Sequence, residues 1–219
     1  MYFLFSLLIG SLLFGSTALA QQDTAFSQNP FTDVPETSTY FEGIEYLRTQ
    51  NVVRGYLDGT FKPDTRINRA EFVHFVINPF ILDTNNMSAC LRENVSSSAS
   101  TVFFSDVSRD TWYANDVCFA KTKDIINGYP DGTYRPADSI NFVEAAKIIS
   151  NVFSLNIEKN ETGEFWYRPY VQRLSDLHAI PVSITRFDKT ITRGEMAEIV
   201  YRLKVNATDR ASTTMGNLR

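Results

Sequence analysis

The chain repeats itself at a fixed interval. Phe31-Thr32-Asp33-Val34 returns as Phe104-Ser105-Asp106-Val107, and Gly55-Tyr56-Leu57-Asp58-Gly59-Thr60-Phe61 returns as Gly128-Tyr129-Pro130-Asp131-Gly132-Thr133-Tyr134. Ile67-Asn68-Arg69-Ala70-Glu71 returns as Ile140-Asn141-Phe142-Val143-Glu144. Every pair is offset by the same 73 positions (104 − 31, 128 − 55, 140 − 67). A third, eroded copy ends in Ile191-Thr192-Arg193-Gly194-Glu195. Such a period marks one supersecondary unit that buries its apolar face by stacking on its own copies.

Each unit reads as helix, loop, helix. The first helix carries Tyr40, Ile44 and Leu47 in unit one, Tyr113, Val117 and Ala120 in unit two, and Tyr167, Val171 and Leu174 in unit three. That i, i+4, i+7 spacing predicts one buried face. Apolar pairs close these helices: Val52-Val53, Ile125-Ile126 and Ala179-Ile180. Gly55 and Gly128 follow as candidate left-handed stops, and Asp58-Gly59 and Asp131-Gly132 read as tight turns. Unit three has lost this turn: 24 steps separate Tyr167 from Ile191 (191 − 167), against 27 between Tyr40 and Ile67 (67 − 40). The second helix is announced by Asn68 with Glu71, Asn141 with Glu144, and Thr192 with Glu195, each pair preceding an apolar run. This is the capping-box pattern, which gives all six residues a structural role.

Residues 1–20 are uncharged and mostly apolar and end in Ala18-Leu19-Ala20, which predicts a secretory signal peptide; a retained membrane anchor is the alternative. Either implies export. The 199 residues left after removal (219 − 20) are enough to bury a core without depending on disulfides. In an exported chain the two cysteines, Cys90 and Cys118, are expected to pair with each other rather than hold a metal. The bridge would pin a polar insert, residues 78–103, to the body. A formal charge of −4 with no basic block argues against nucleic acid as a partner.

Arg69 and Arg193 occupy the first helical position, where the helix dipole disfavours a cation. Either they help the free amides there to form an anion pocket, or they lie in solvent or pair with an acid of a neighbouring unit. Unit two has Phe142 at this position. His74 and His178 fall within or near helices and read as packing or surface residues. Asp33 and Asp106 read as turn or cap acceptors. Asp58-Gly59 and Asp131-Gly132 lack the spaced carboxylates of a calcium loop. No residue set predicts catalysis, a metal or a cofactor.

The series FTDV, YFEGIEYL, NVVRGYLDGTFKP, INRAEF, followed by FSDV, WYANDVCFA, DIINGYPDGTYRP, INFVEA, resembles the S-layer homology domain, with WYRPYVQRL and ITRGEM as a divergent third copy. The resemblance implies a mainly α fold: three tandem helix–loop–helix repeats in a pseudo-threefold arrangement around a central helical bundle, with grooves between copies. The expected organisation is repeat one over 31–77, repeat two over 104–155, the divergent repeat three over 156–204, and a disordered tail over 205–219. It further implies a non-catalytic module at the cell wall or cell surface, partnered by secondary cell-wall polysaccharide or peptidoglycan and, as an adaptor, by another envelope protein. The motif arginine corresponds to Arg69 and Arg193, and the aromatic opening the first helix to Trp112 and Trp166. Arginine would meet a carboxylate and tryptophan would stack on a sugar ring; the alternative for the tryptophans is core packing. Unit one has Thr39 in place of the tryptophan, unit two lacks the arginine, and unit three lacks the turn and the opening Phe-x-Asp-Val. A scaffold or oligomerising module without glycan recognition is therefore the competing function.

Overall fold

The computed structural model describes residues 30–77, 84–157 and 161–219, so the apolar stretch 1–20 lies outside the described residues. Among them are seven α-helices: α1 (Phe41–Thr49), α2 (Arg69–Ile77), α3 (Thr84–Asn94), α4 (Ala114–Thr122), α5 (Phe142–Val152), α6 (Arg168–Asp176) and α7 (Arg193–Val205). A small hairpin, β1 (Thr101–Val102) with β2 (Phe104–Ser108), is antiparallel. The fold is mainly α. Of the expected faces, Ile44, Leu47, Val117, Ala120, Val171 and Leu174 are buried, while the leading Tyr40, Tyr113 and Tyr167 are half-buried against the core.

All three capping boxes form. Asn68 Oδ1 accepts from the Glu71 amide at 2.8 Å, and the α5 and α7 boxes are closed in both directions by Asn141 with Glu144 and Thr192 with Glu195. Each first helix ends in the same left-handed turn, but the residue that turns is not the glycine. Asn51, Asp124 and His178 take φ of 57°, 55° and 54°. The amide after each reaches back to the helix, Val52 to Leu47 O and Ile125 to Ala120 O at 2.8 Å, and Ala179 to Leu174 O at 2.9 Å. This is the Schellman arrangement, with the first residue of the apolar pair as its hydrophobic partner. Gly55 and Gly128 are needed for a different reason. A Cβ on Gly55 would stand 2.4 Å from Phe31 Cε1, and one on Gly128 2.2 Å from Phe104 Cε1, where φ is also +76°.

That close approach joins the opening motif to the turn. Asp33 accepts from the amides of Phe61 and Lys62, both at 2.7 Å, and Asp106 from those of Tyr134 at 2.8 Å and Arg135 at 2.7 Å. These aspartates are acceptors, as their sequence context suggests, but for donors 28 and 29 residues away rather than for a local cap.

The units meet through backbone. The Ile67 amide donates to Ile191 O at 3.2 Å, Ile191 to Ile140 O at 3.1 Å, and Ile140 to Ile67 O at 3.2 Å, closing a ring of three fully buried isoleucines. Helices then pair across units: α4 packs on α2, α6 on α5, and α1 on α7. The remaining insert helix, α3, packs on α4, and Cys90 and Cys118 form the expected disulfide between them.

The expectation of a disordered tail is corrected. Thr213 N donates to Ile180 O at 2.9 Å, Arg219 N to Thr185 O at 3.2 Å, and Phe187 N to Arg219 O at 3.1 Å, with Thr213 and Leu218 buried. Polar composition suggested disorder, but these residues hydrogen-bond the backbone of the unit-three loop over 180–187, a unit that has no Phe-x-Asp-Val opening. Asp106→Ala is expected to lower the unfolding free energy by about 2–3 kcal/mol, because two amides lose a charged acceptor. Urea denaturation followed by circular dichroism measures this, and an unchanged midpoint would remove the latch.

Candidate functional site

The isoleucine ring aims the residue after each cap across the unit boundary. Arg69 is 5% exposed. Its Nε donates to Tyr134 O at 2.9 Å, and its guanidinium lies 4.9 Å from the Tyr129 and Tyr134 ring centroids. It also pairs at 3.2 Å with Glu144, the capping glutamate of the next unit. Glu144 in turn accepts from the Tyr129 hydroxyl at 2.6 Å. Burial first, and then this bond to a carboxylate, push the Tyr129 hydroxyl up to about 12. Arg193, 3% exposed, donates from Nε to Phe61 O at 2.8 Å and lies over the rings of Tyr56, Phe61 and Phe75. Burial lowers its pKa. Both arginines therefore serve the contact between units, and neither side chain lies in solvent at its own helix terminus.

Grooves lie beside these contacts. The first, about 350 Å³, is lined by Arg69, Gly128, Tyr129, Glu144, Lys147 and Trp166. It unites an arginine of unit one, the turn of unit two and the tryptophan of unit three. Trp166 is half-buried, and Lys147 Nζ sits 5.3 Å from its ring centroid and 5.9 Å from that of Tyr170. Burial depresses the Lys147 pKa. None of the ion pairs among the described residues involves this amine.

The second groove, about 410 Å³, is lined by Arg54, Glu71, His74, Phe75 and Trp112 among others. Trp112 is 61% exposed, so core packing does not account for it. It meets His74 edge-on with centroids 5.4 Å apart, and His74 Nδ1 stands 2.9 Å from Asp116. Arg193 approaches this groove through Phe75. Arg69 thus shares a groove with Trp166, and Arg193 neighbours the groove of Trp112, because each groove takes its parts from different units.

The third groove, about 640 Å³, contains Thr39, Tyr40, Glu42, Ser183, Glu198 and Arg210. Here Phe142 is buried in place of the motif arginine. Lys189 pairs with the capping glutamate Glu195 instead, and Ser183 donates to Glu195 at 2.6 Å.

Sequence reasoning missed Lys147. A signal was available: His74, Lys147 and Glu198 each stand three residues after a capping glutamate (74 − 71, 147 − 144, 198 − 195), on the helix face that looks into a groove.

The S-layer homology domain matches residues 30–73 and 103–146, so the chain carries two clear copies of this domain. Such domains anchor exported proteins to the cell envelope, and this chain is an exported cell-surface or cell-wall protein. It is similar to the middle cell wall protein of Brevibacillus brevis, 26% identical over 84% of this chain and 16% of that protein. It is also similar to cell surface glycoprotein 1 of Acetivibrio thermocellus, 30% identical over 58% of this chain and 5% of that protein. A third relative is a cellulosome-anchoring protein of the same species, 30% identical over 55% of this chain and 25% of that protein. The chain spans a quarter or less of the length of these relatives.

Two substitutions separate structure from recognition. Arg69→Ala is expected to cost about 3 kcal/mol of stability, since Glu144 loses its partner and Tyr134 O a donor. Lys147→Met is expected to melt at the same or a higher temperature. The folded state binds fewer protons than the unfolded state just below the ordinary lysine pKa, so the charged amine there opposes folding and its removal relieves that cost. Thermal melts monitored by circular dichroism test both.

Proposed function

We propose that this chain is a non-catalytic anchoring module that binds an acidic cell-wall glycan in the first groove. The observation that carries this reading is the Lys147 amine, which lies over the Trp166 ring on a groove that Arg69 also lines. An indole face stacks on the apolar side of a pyranose ring, and an ammonium held in a half-buried site attracts a carboxylate or pyruvyl group. Glu144 balances Arg69, which leaves the Lys147 charge to the ligand. The second groove, with Trp112 and His74, is a weaker version of the same design. The pseudo-threefold arrangement that this reading assumes is supported by the closed isoleucine ring.

The ligand class is secondary cell-wall polysaccharide or peptidoglycan, and the surface away from the grooves is free to carry another envelope protein. A packing-only scaffold is favoured by one specific observation, the burial of Arg69 and Arg193 in contacts between units.

Sedimentation of the purified exported chain with cell-wall sacculi distinguishes the two. The wild type is expected to co-sediment. Trp166→Ala and Lys147→Met are each expected to weaken binding about tenfold while remaining folded. A folded wild type that stays in the supernatant, or a double variant that sediments like wild type, would overturn glycan binding by this groove.

A further inference from the structure

The third groove is built like the others but charged in the opposite sense. Where they place Lys147 or His74, it places Glu198, and where they place a tryptophan, it has Thr39. Glu198 is 1% exposed. Its Oε1 accepts from Arg202 Nε at 2.7 Å and from an Arg210 terminal nitrogen at 2.6 Å, while the buried Oε2 has no hydrogen-bond partner. The other terminal nitrogen of Arg210 bonds Glu42. Glu36 and Asp209 add two further carboxylates to the lining.

Arg210 reaches this place on a held segment. After α7, Asn206 turns the chain with a φ of 53°. Ala211 O then accepts from Arg202 at 3.1 Å, and Ser212 forms an antiparallel bridge with Pro181. The segment therefore lies along the loop of unit three and presents one guanidinium to the acidic wall.

We propose that the third groove is a cation-recognition site for a guanidinium or ammonium group carried on an extended peptide, with Arg210 as its resident occupant. A buried carboxylate flanked by exposed acids demands a cation and repels an anion. Two charge-assisted bonds from one planar guanidinium to two carboxylates satisfy that demand better than a point charge would. The site is closed to acidic ligands, and the molecule offers them two grooves rather than three. This inference stands apart from the glycan reading, since it concerns residues on the opposite charge balance and a ligand of opposite sign.

The test uses the full exported chain with methylguanidinium as the probe, followed through the backbone amide resonances of Glu42 and Glu198. Arg210→Ala and Arg210→Met are expected to bind the probe saturably, at least about tenfold more tightly than wild type, in which the site is filled. Arg210→Lys keeps a cation and is expected to resemble wild type. Adding Glu198→Gln to Arg210→Met is expected to abolish saturable binding. Equal responses in wild type and Arg210→Met, or binding that survives Glu198→Gln, would overturn the assignment. Should Arg210→Ala fail to fold, Arg210→Met keeps the aliphatic stem, and a folded Arg210→Met that ignores the probe rejects the site. None of these variants alters the first groove, so sacculus binding reports on the glycan reading separately.

Discussion

Everything distinctive about this molecule depends on the ring in which Ile67, Ile140 and Ile191 pass one hydrogen bond each to the next unit. Each isoleucine both donates and accepts, so no unit can leave without orphaning a buried amide and a buried carbonyl. The ring also sets the direction of the second helices. Each of them starts two residues later and sends its first side chain into the neighbouring unit. Tertiary contacts between helices then occur across units, with α2 against α4 and α5 against α6. The three grooves described above form at those seams, and each of them is therefore composite.

The erosion of unit three has a physical logic. In units one and two the opening phenylalanine packs on a glycine that has no room for a Cβ, and the opening aspartate holds the two amides after the turn. Opening and turn are one device, so losing either removes the reason to keep the other. Unit three has lost both together. Its exposed loop backbone is satisfied by residues 212–219, which return from the far end of α7.

Recognition and folding use neighbouring positions on the same helices. The capping glutamates belong to the fold, yet Glu71 and Glu144 also form groove walls. Three residues on, the side chain is free of capping duty and its charge varies: histidine, lysine, glutamate. This one position changes the electrostatic character of each groove while the backbone stays the same. Where the arginine is missing at Phe142, Lys189 supplies the counter-charge to Glu195 from the loop before the ring.

Local signals in the sequence determined the two helices of each unit, their capping boxes and their apolar faces, because each depends on side chains within a few residues of one another, whereas the insert helix α3 was not legible in its polar composition. The cysteine pair was legible for a different reason, since an exported chain with two cysteines has few choices. The left-handed stops at Asn51, Asp124 and His178 were not legible, because non-glycine residues fill them and glycines nearby were the stronger decoy. The roles of Arg69 and Arg193 were decided only by tertiary structure. At a helix terminus an arginine looks available for an anion, whereas here it is buried against a carbonyl and aromatic rings more than sixty residues away in sequence. The meeting of Arg69 and Trp166 on one groove, the filling of the third groove by Arg210 and the ordering of the tail are of the same kind. They arise from a closed ring of units, and closure places together residues that no local pattern connects.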